Sequence, residues 1–205
     1  MSALLDFLAG NVLLCDGAMG TMIYASGVFV NRCFDELNIS EPRLIVDIHK
    51  KYIAVGAEVI ETNTFGANRL KLEKFGLESR TGEINLLAVE HARAAARGKP
   101  VHVLGSVGPL GRPIVQNRGI TPEEARDAFL EQISALVEAG VDGLILETFS
   151  HTEEMTIALK AARDVDQDIP IVAQFAFADE NSILGGGSVK EAVELLEQGG
   201  ADVLS

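Results

Sequence analysis

One unit repeats along this chain: a helical stretch, a glycine, then a short apolar run ending in polar residues. Gly56-Ala57-Glu58-Val59-Ile60-Glu61-Thr62 is the first clear copy. Gly140-Val141-Asp142-Gly143-Leu144-Ile145-Leu146-Glu147-Thr148 is the second, and Gly200-Ala201-Asp202-Val203-Leu204-Ser205 the third. Each glycine stands where a helix C-terminus calls for a left-handed residue. Each apolar run reads as a strand buried on both faces, the mark of a parallel sheet. Residues 11–15, 101–106 and 169–175 read as further strands, so six are expected, near residues 12, 57, 101, 142, 170 and 201.

The helices between them carry start signals. Ser40 precedes Glu41-Pro42, and Ile45, Ile48, Tyr52 and Val55 follow at helical spacing. Thr121-Pro122-Glu123-Glu124 is a capping box with proline at the first helical position. Its inward face is Ala125, Phe129, Ile133 and Leu136. Thr152 opens a helix with Met155, Ala158, Leu159 and Ala162 inward. Ser188-x-x-Glu191 is a second capping box, with Ala192, Val193, Leu195 and Leu196 inward, and residues 84–97 form an alanine-rich helix.

Alternating strands and helices mean an α/β fold with a parallel sheet. No linker or low-complexity segment interrupts residues 1–205, which read as one domain. Two architectures fit, a doubly wound sheet and a (β/α)₈ barrel. A barrel takes about 250 residues. Six strands in 205 residues leave it two short, so the expectation is an open sheet or part of a longer barrel.

Composition narrows the partners. The chain has 17 basic and 30 acidic residues, a formal charge of −13, which repels nucleic-acid backbones. No Lys/Arg run exceeds two, so an anionic membrane surface is not expected as a partner. No apolar run approaches the roughly 18 residues of a transmembrane helix. The N-terminus lacks a basic region and a small-residue cleavage site, so no secretory signal is read. Two cysteines, Cys15 and Cys33, make no disulfide framework and suit a reducing cytoplasm.

In both architectures chemistry belongs at the C-terminal ends of strands. Asp16-Gly17-Ala18-Met19-Gly20 follows the first strand. Consecutive small residues there expose backbone N–H groups that can hold a carboxylate or phosphate. The same run also reads as a tight βα turn. Glu147 ends a near-continuous apolar strand and suits a substrate ammonium, or else is a solvated loop acid. Glu61 has similar character. Thr62, Asn63 and Thr64 offer neutral hydrogen bonds to a polar ligand, or ordinary loop capping. Gly105-x-x-Gly108-x-x-Gly111 lacks G-K-[ST] and precedes its helix by ten residues, which argues against a phosphate loop. Glycines 185–187 could bind an anion ahead of Ser188, or form a flexible loop. The four histidines form no metal-ligand spacing; His49 and His91 fall within helices. Cys15, beside the candidate site, reads as a small buried hydrophobe.

Five segments occur together and in order: Asp16-Gly17-Ala18-Met19-Gly20-Thr21, Asp35-Glu36-Leu37-Asn38, Glu61-Thr62-Asn63-Thr64-Phe65-Gly66-Ala67-Asn68, Gly105-Ser106-Val107-Gly108-Pro109 and Glu147-Thr148-Phe149. Together they resemble the homocysteine S-methyltransferase family. The D-G-A-M-G form is similar to the homocysteine-binding modules of cobalamin-dependent methionine synthases and of proteins fusing such a module to a methylenetetrahydrofolate reductase. The resemblance implies a (β/α)₈ TIM barrel, of which this chain would hold about the first six strands. It implies a cytoplasmic enzyme that transfers a methyl group to homocysteine held as a zinc thiolate, forming methionine. Methylcobalamin or methyltetrahydrofolate is the implied donor, with a fused C-terminal domain as possible partner. Relatives that use betaine or S-methylmethionine, or a non-catalytic barrel remnant, are the alternatives.

By the same resemblance, the backbone of Asp16, Gly17 and Ala18 meets the amino-acid carboxylate. Glu147 meets its ammonium, and Thr62 and Asn63 line the pocket. The family's zinc ligands are three cysteines, one after strand 6 and a pair near strand 8. Neither Cys15 nor Cys33 matches one. No catalytic or metal residue is therefore expected within these residues, and this stretch alone is expected to be inactive, with two unpaired sheet edges.

Overall fold

A computed structural model describes residues 3–115 and 119–205. Helices α1 (Ala3–Leu8), α2 (Met19–Ala25), α3 (Leu37–Ser40) and α4 (Pro42–Ala54) precede strand β1 (Val59–Glu61). α5 (Arg69–Leu72) and α6 (Thr81–Ala96) lead to β2 (His102–Val107), followed by α7 (Pro122–Glu138), β3 (Gly143–Phe149), α8 (Thr152–Val165) and β4 (Ile171–Phe175). A small antiparallel hairpin, β5 (Phe177–Asp179) and β6 (Ser182–Ile183), comes before α9 (Val189–Gln198) and β7 (Val203–Leu204).

The main sheet has five parallel strands in the order β1-β2-β3-β4-β7. Strand order follows chain order because every crossover is a helix returning on the same side. One face, with Ile60, Val103, Leu144, Leu146 and Ala173, packs against α4, α6, α7, α8 and α9 in sequence. The other face, with Val59, Leu104 and Ile145, receives Leu4 of the short α1. Helices in single file along one face depart from a doubly wound sheet, which is covered on both.

The repeating helix–glycine–strand unit has a structural meaning. Gly56, Gly140 and Gly200 end their helices at φ +108, +87 and +78. The acid two residues after each glycine then accepts a backbone N–H from the start of the neighbouring strand segment. Glu58 Oε2 accepts from Leu14 N at 3.1 Å, Asp142 Oδ2 from Val103 N at 2.7 Å, and Asp202 Oδ2 from Ile171 N at 2.8 Å. In two copies an arginine from the preceding helix pair completes the corner: Arg93 with Asp142 at 2.8 Å, and Arg163 with Asp202 at 2.9 Å. Both guanidinium groups also donate to the glycine carbonyl, Gly140 O or Gly200 O.

Both expected capping boxes form, Thr121 with Glu124 on α7 and Ser188 with Glu191 on α9. Other expectations are corrected. Residues 11–15 form no regular strand, only a parallel bridge between Cys15 and Val59. This segment pairs on one side alone, through Glu58 N to Leu14 O at 2.8 Å and Asp16 N to Val59 O at 2.9 Å, so Val12 stays 89% exposed. Val55 is 80% exposed because α4 has already ended at Ala54. Val193 points partly to solvent, whereas Ala192 and Leu196 are buried. Cys15 is exposed; the buried cysteine is Cys33.

Candidate active site

A cavity of about 1070 Å³ opens over the C-terminal ends of β1, β2 and β3. All six residues singled out from the sequence line it: Asp16, Gly17, Ala18, Thr62, Asn63 and Glu147. The turn after residue 15 is fixed from two sides. Asp16 Oδ2 accepts from Glu61 N at 3.1 Å, and Tyr52 of α4 donates to Ala18 O at 3.1 Å. Gly17 lies against that tyrosine, where a Cβ would come within 3.2 Å of the ring.

The β1 end is a closed network rather than a set of free groups. Thr62 Oγ1 accepts from Ser106 N at 3.0 Å and lies 2.6 Å from Thr64 Oγ1. Thr64 Oγ1 donates to Ser106 O at 2.7 Å. Asn63 Nδ2 donates to Phe34 O at 2.8 Å, and Asn38 Nδ2 donates to Asn63 O at 2.8 Å. The Thr62 hydroxyl and the Asn63 amide are therefore engaged in shaping the wall. Ser106 Oγ in turn donates to Glu147 Oε1 at 2.5 Å and orients that carboxylate. Next to it Thr148 takes φ +62, a conformation that a β-branched residue adopts only under constraint. It sits at the irregularity in the β3–β4 register between Leu146 and Phe149.

Asp16, Glu61 and Glu147 thus surround one cavity. Burial, opposed by backbone hydrogen bonds and reinforced by the Glu147 charge, pushes the Asp16 carboxyl up to about 7. Burial and the charges of Glu147 and Asp16 push Glu61 up to about 8. Among the described residues, no Lys, Arg or His side chain forms an ion pair with any of the three. Arg32, Lys71 and Lys74 line the same cavity without pairing with them, and a cation placed against the three would favour their ionised forms.

The donor set does not fit a thiolate-bound metal. Among the described residues, no group of three or more His, Cys, Asp or Glu is placed to hold a metal ion. Cys33 is buried and donates to Asp35 Oδ2 at 3.8 Å, and burial together with the Asp35 charge pushes its thiol up to about 11. Cys15 is exposed as a residue, but partial desolvation at its thiol raises it, as do the Glu61 and Asp16 charges. Neither thiol is disposed to ionise at neutral pH.

Asp35, Lys71, Ser106 and Thr148 also line the cavity, and sequence reasoning did not single them out as site residues. Asp35, Ser106 and Thr148 lie inside the five recognised segments, which is their only signal in the sequence. Asp35 Oδ1 accepts from Gly66 N at 2.9 Å, so it clamps the loop after β1.

Fold and site define a parallel α/β protein with a cavity over the strand C-termini, lined by three carboxyl groups that form no ion pair among the described residues. The family model for homocysteine S-methyltransferase matches residues 13–205, and the chain belongs to that family. It is 28% identical over 216 residues to a methionine synthase of Mycobacterium tuberculosis, covering 98% of this chain and 18% of that protein. The chain thus spans less than a fifth of that relative's length. The metallated form of the homocysteine methyltransferase MmuM from Escherichia coli has a similar fold, with TM-score 0.84 and 23% identity, over 97% of this chain and 75% of the other. The oxidized form of the same protein gives TM-score 0.80 at 24% identity, over 93% and 71%. No helix among the described residues is long and apolar enough to cross a membrane.

Proposed function

We propose that this chain is the homocysteine-binding part of a methyltransferase, and that the cavity over β1–β3 takes the amino-acid portion of homocysteine. The observation that carries this reading is the trio Asp16, Glu61 and Glu147, gathered around one cavity with no ion pair to any of them among the described residues. An α-ammonium supplies the missing charge, with Glu147, already oriented by Ser106, as its principal contact. The backbone of Asp16, Gly17 and Ala18, tied down by Tyr52, receives the α-carboxylate. Thr62 and Asn63 hold the wall against which the side chain lies.

In this reading residues 1–205 are the N-terminal portion of one (β/α)₈ barrel. The single file of helices on one sheet face supports it. The product is methionine, and the methyl comes from methylcobalamin or a methylfolate, delivered by a partner or fused domain in the cytoplasm. Zinc, which would hold the homocysteine sulfur as a thiolate, is assigned to residues outside this stretch, because the described donor set does not fit it. Residues 1–205 bind and orient; by themselves they are proposed not to methylate.

The test is a calorimetric titration with L-homocysteine. Glu147→Gln keeps the shape but removes the charge, and should weaken binding by about 1–3 kcal/mol, the worth of a charged hydrogen bond. An unchanged Kd removes Glu147 from the site.

A further inference from the structure

The run Gly105-x-x-Gly108-x-x-Gly111 is not a phosphate loop, and the structure shows what its glycines are for. A Cβ at Gly105 would meet Leu136 at 3.0 Å and Leu144 at 3.2 Å, so this glycine serves core packing. At Gly108 a Cβ would lie 2.4 Å from the Phe65 ring and 2.6 Å from the Phe65 carbonyl oxygen. Gly111, at φ +74, leaves room for the Lys71 stem, whose Cε would stand 3.2 Å from a Cβ there. Leu110 N between them donates to Glu154 Oε1 at 2.7 Å, which ties the run to α8. The last two glycines are a seat for Phe65 and Lys71.

The seated pair is unusual in its charge balance. Lys71 Nζ lies 4.3 Å from the centroid of the Phe65 ring, a cation–π contact. Among the described residues, no carboxylate comes within ion-pair distance of this partly buried ammonium. Burial pushes the Lys71 pKa down, the Asp35, Glu154 and Glu147 charges oppose that, and the Lys74 ammonium adds to the lowering. Lys71, Lys74, Phe65 and Phe75 all line the cavity that also holds the three carboxyl groups. Its volume of about 1070 Å³ matches or exceeds the roughly 300–1000 Å³ of pockets that enclose drug-sized molecules.

We propose that Lys71, seated on Phe65 and flanked by Lys74, binds the anionic group, a carboxylate or phosphate, of a second ligand that shares the cavity with the amino acid. The inference rests on the proposed function only in taking the carboxyl-lined wall as the amino-acid site. An anion at Lys71 gains a direct charged partner and relieves the repulsion between the two ammonium groups. The aromatic rings beside it favour an anion carried on an unsaturated, flat body.

The experiment titrates the protein with benzoate and with phenyl phosphate, using benzyl alcohol as the uncharged control. At least one anion should bind saturably and the alcohol should not; which anion binds assigns the carboxylate or the phosphate. Lys71→Met should weaken anion binding by about tenfold or more, as for a lost charged hydrogen bond. Lys71→Arg should retain most of it, which separates charge loss from misfolding, and neither variant should lose L-homocysteine binding. The proposal is overturned if Lys71→Met binds the anions unchanged, if benzyl alcohol binds as well as they do, or if Lys71→Met loses homocysteine instead. Anion binding at Lys71 in a protein that does not bind homocysteine would sink the amino-acid reading and leave the anion site standing.

Discussion

Asp16 and Glu61 hold protons that free carboxyl groups would have released, and this gives the site a signature in stability. Burial is the main cause for both, with values of about 7 and about 8. Because each value is raised on folding, the folded protein binds more protons than the unfolded chain across this range. Stability from this source is complete below the ordinary carboxylate range and is lost as pH rises through those two values. His49 acts in the opposite sense, since burial lowers it from 6.5 to about 4, but above 6.5 it is largely neutral in both states. Denaturant unfolding of the ligand-free protein should therefore show stability falling from pH 6.5 to 8, the window set by these shifts. Asp16→Asn should flatten that slope; a stability that rises across the window contradicts the burial argument. At this scale the sequence told unevenly. Asp16 was legible as cavity lining because it opens a run of small residues after a strand, and Glu147 because it ends a near-continuous apolar run. Lys71 was not, since a lysine on a short helix looks like any solvated face until Gly108 and Gly111 are seen beneath it. Thr62 and Asn63 were legible as pocket lining, but their engagement with Ser106 and Phe34 depends on strands and loops distant in sequence.

At the level of elements, the repeat proved to be a corner, not only a turn. The glycine ends the helix, and the acid two residues later anchors the neighbouring strand. For Asp142, burial alone would raise the carboxyl, but the Arg93 guanidinium and the Val103 N–H outweigh it and hold the group below its ordinary value. Asp142→Ala should leave Arg93 and the Val103 N–H without this partner and destabilise the protein by about 2 kcal/mol, the scale of a charged hydrogen bond. Thermal or denaturant unfolding measures it, and a change within a few tenths of a kcal/mol would reduce the corner to geometry without energetic weight. Long elements with caps were readable because periodicity and capping chemistry agree, as in α7 and α9. The short helices α2, α3 and α5 escaped. α2 and α3 lack a side-chain cap, and the cap of α5, Asn68 accepting from Lys71 N at 3.0 Å, sits on only four residues. The segment at residues 11–15 misled in the other direction: its apolar composition promised a regular strand, and it makes only a parallel bridge to Val59.

For the whole molecule, alternation of strands and helices was enough to name a parallel α/β fold, but not to choose between architectures. The choice depends on which side each helix returns to, a property of three-dimensional packing that local sequence does not encode. Of the acidic residues behind the net charge of −13, Asp16, Glu61 and Glu147 stand together around the cavity, and the proposed function gives them an ammonium to bind. Function therefore turns on whether the cavity recognises the ammonium of its ligand. Calorimetric titration with L-homocysteine, set beside 4-mercaptobutanoate, the same molecule without the amino group, asks this directly. Homocysteine should bind more tightly by about tenfold or more, the loss expected when a charged hydrogen bond is removed. Equal affinity for the two, or tighter binding of the ligand without the ammonium, would contradict ammonium recognition by the three carboxyl groups.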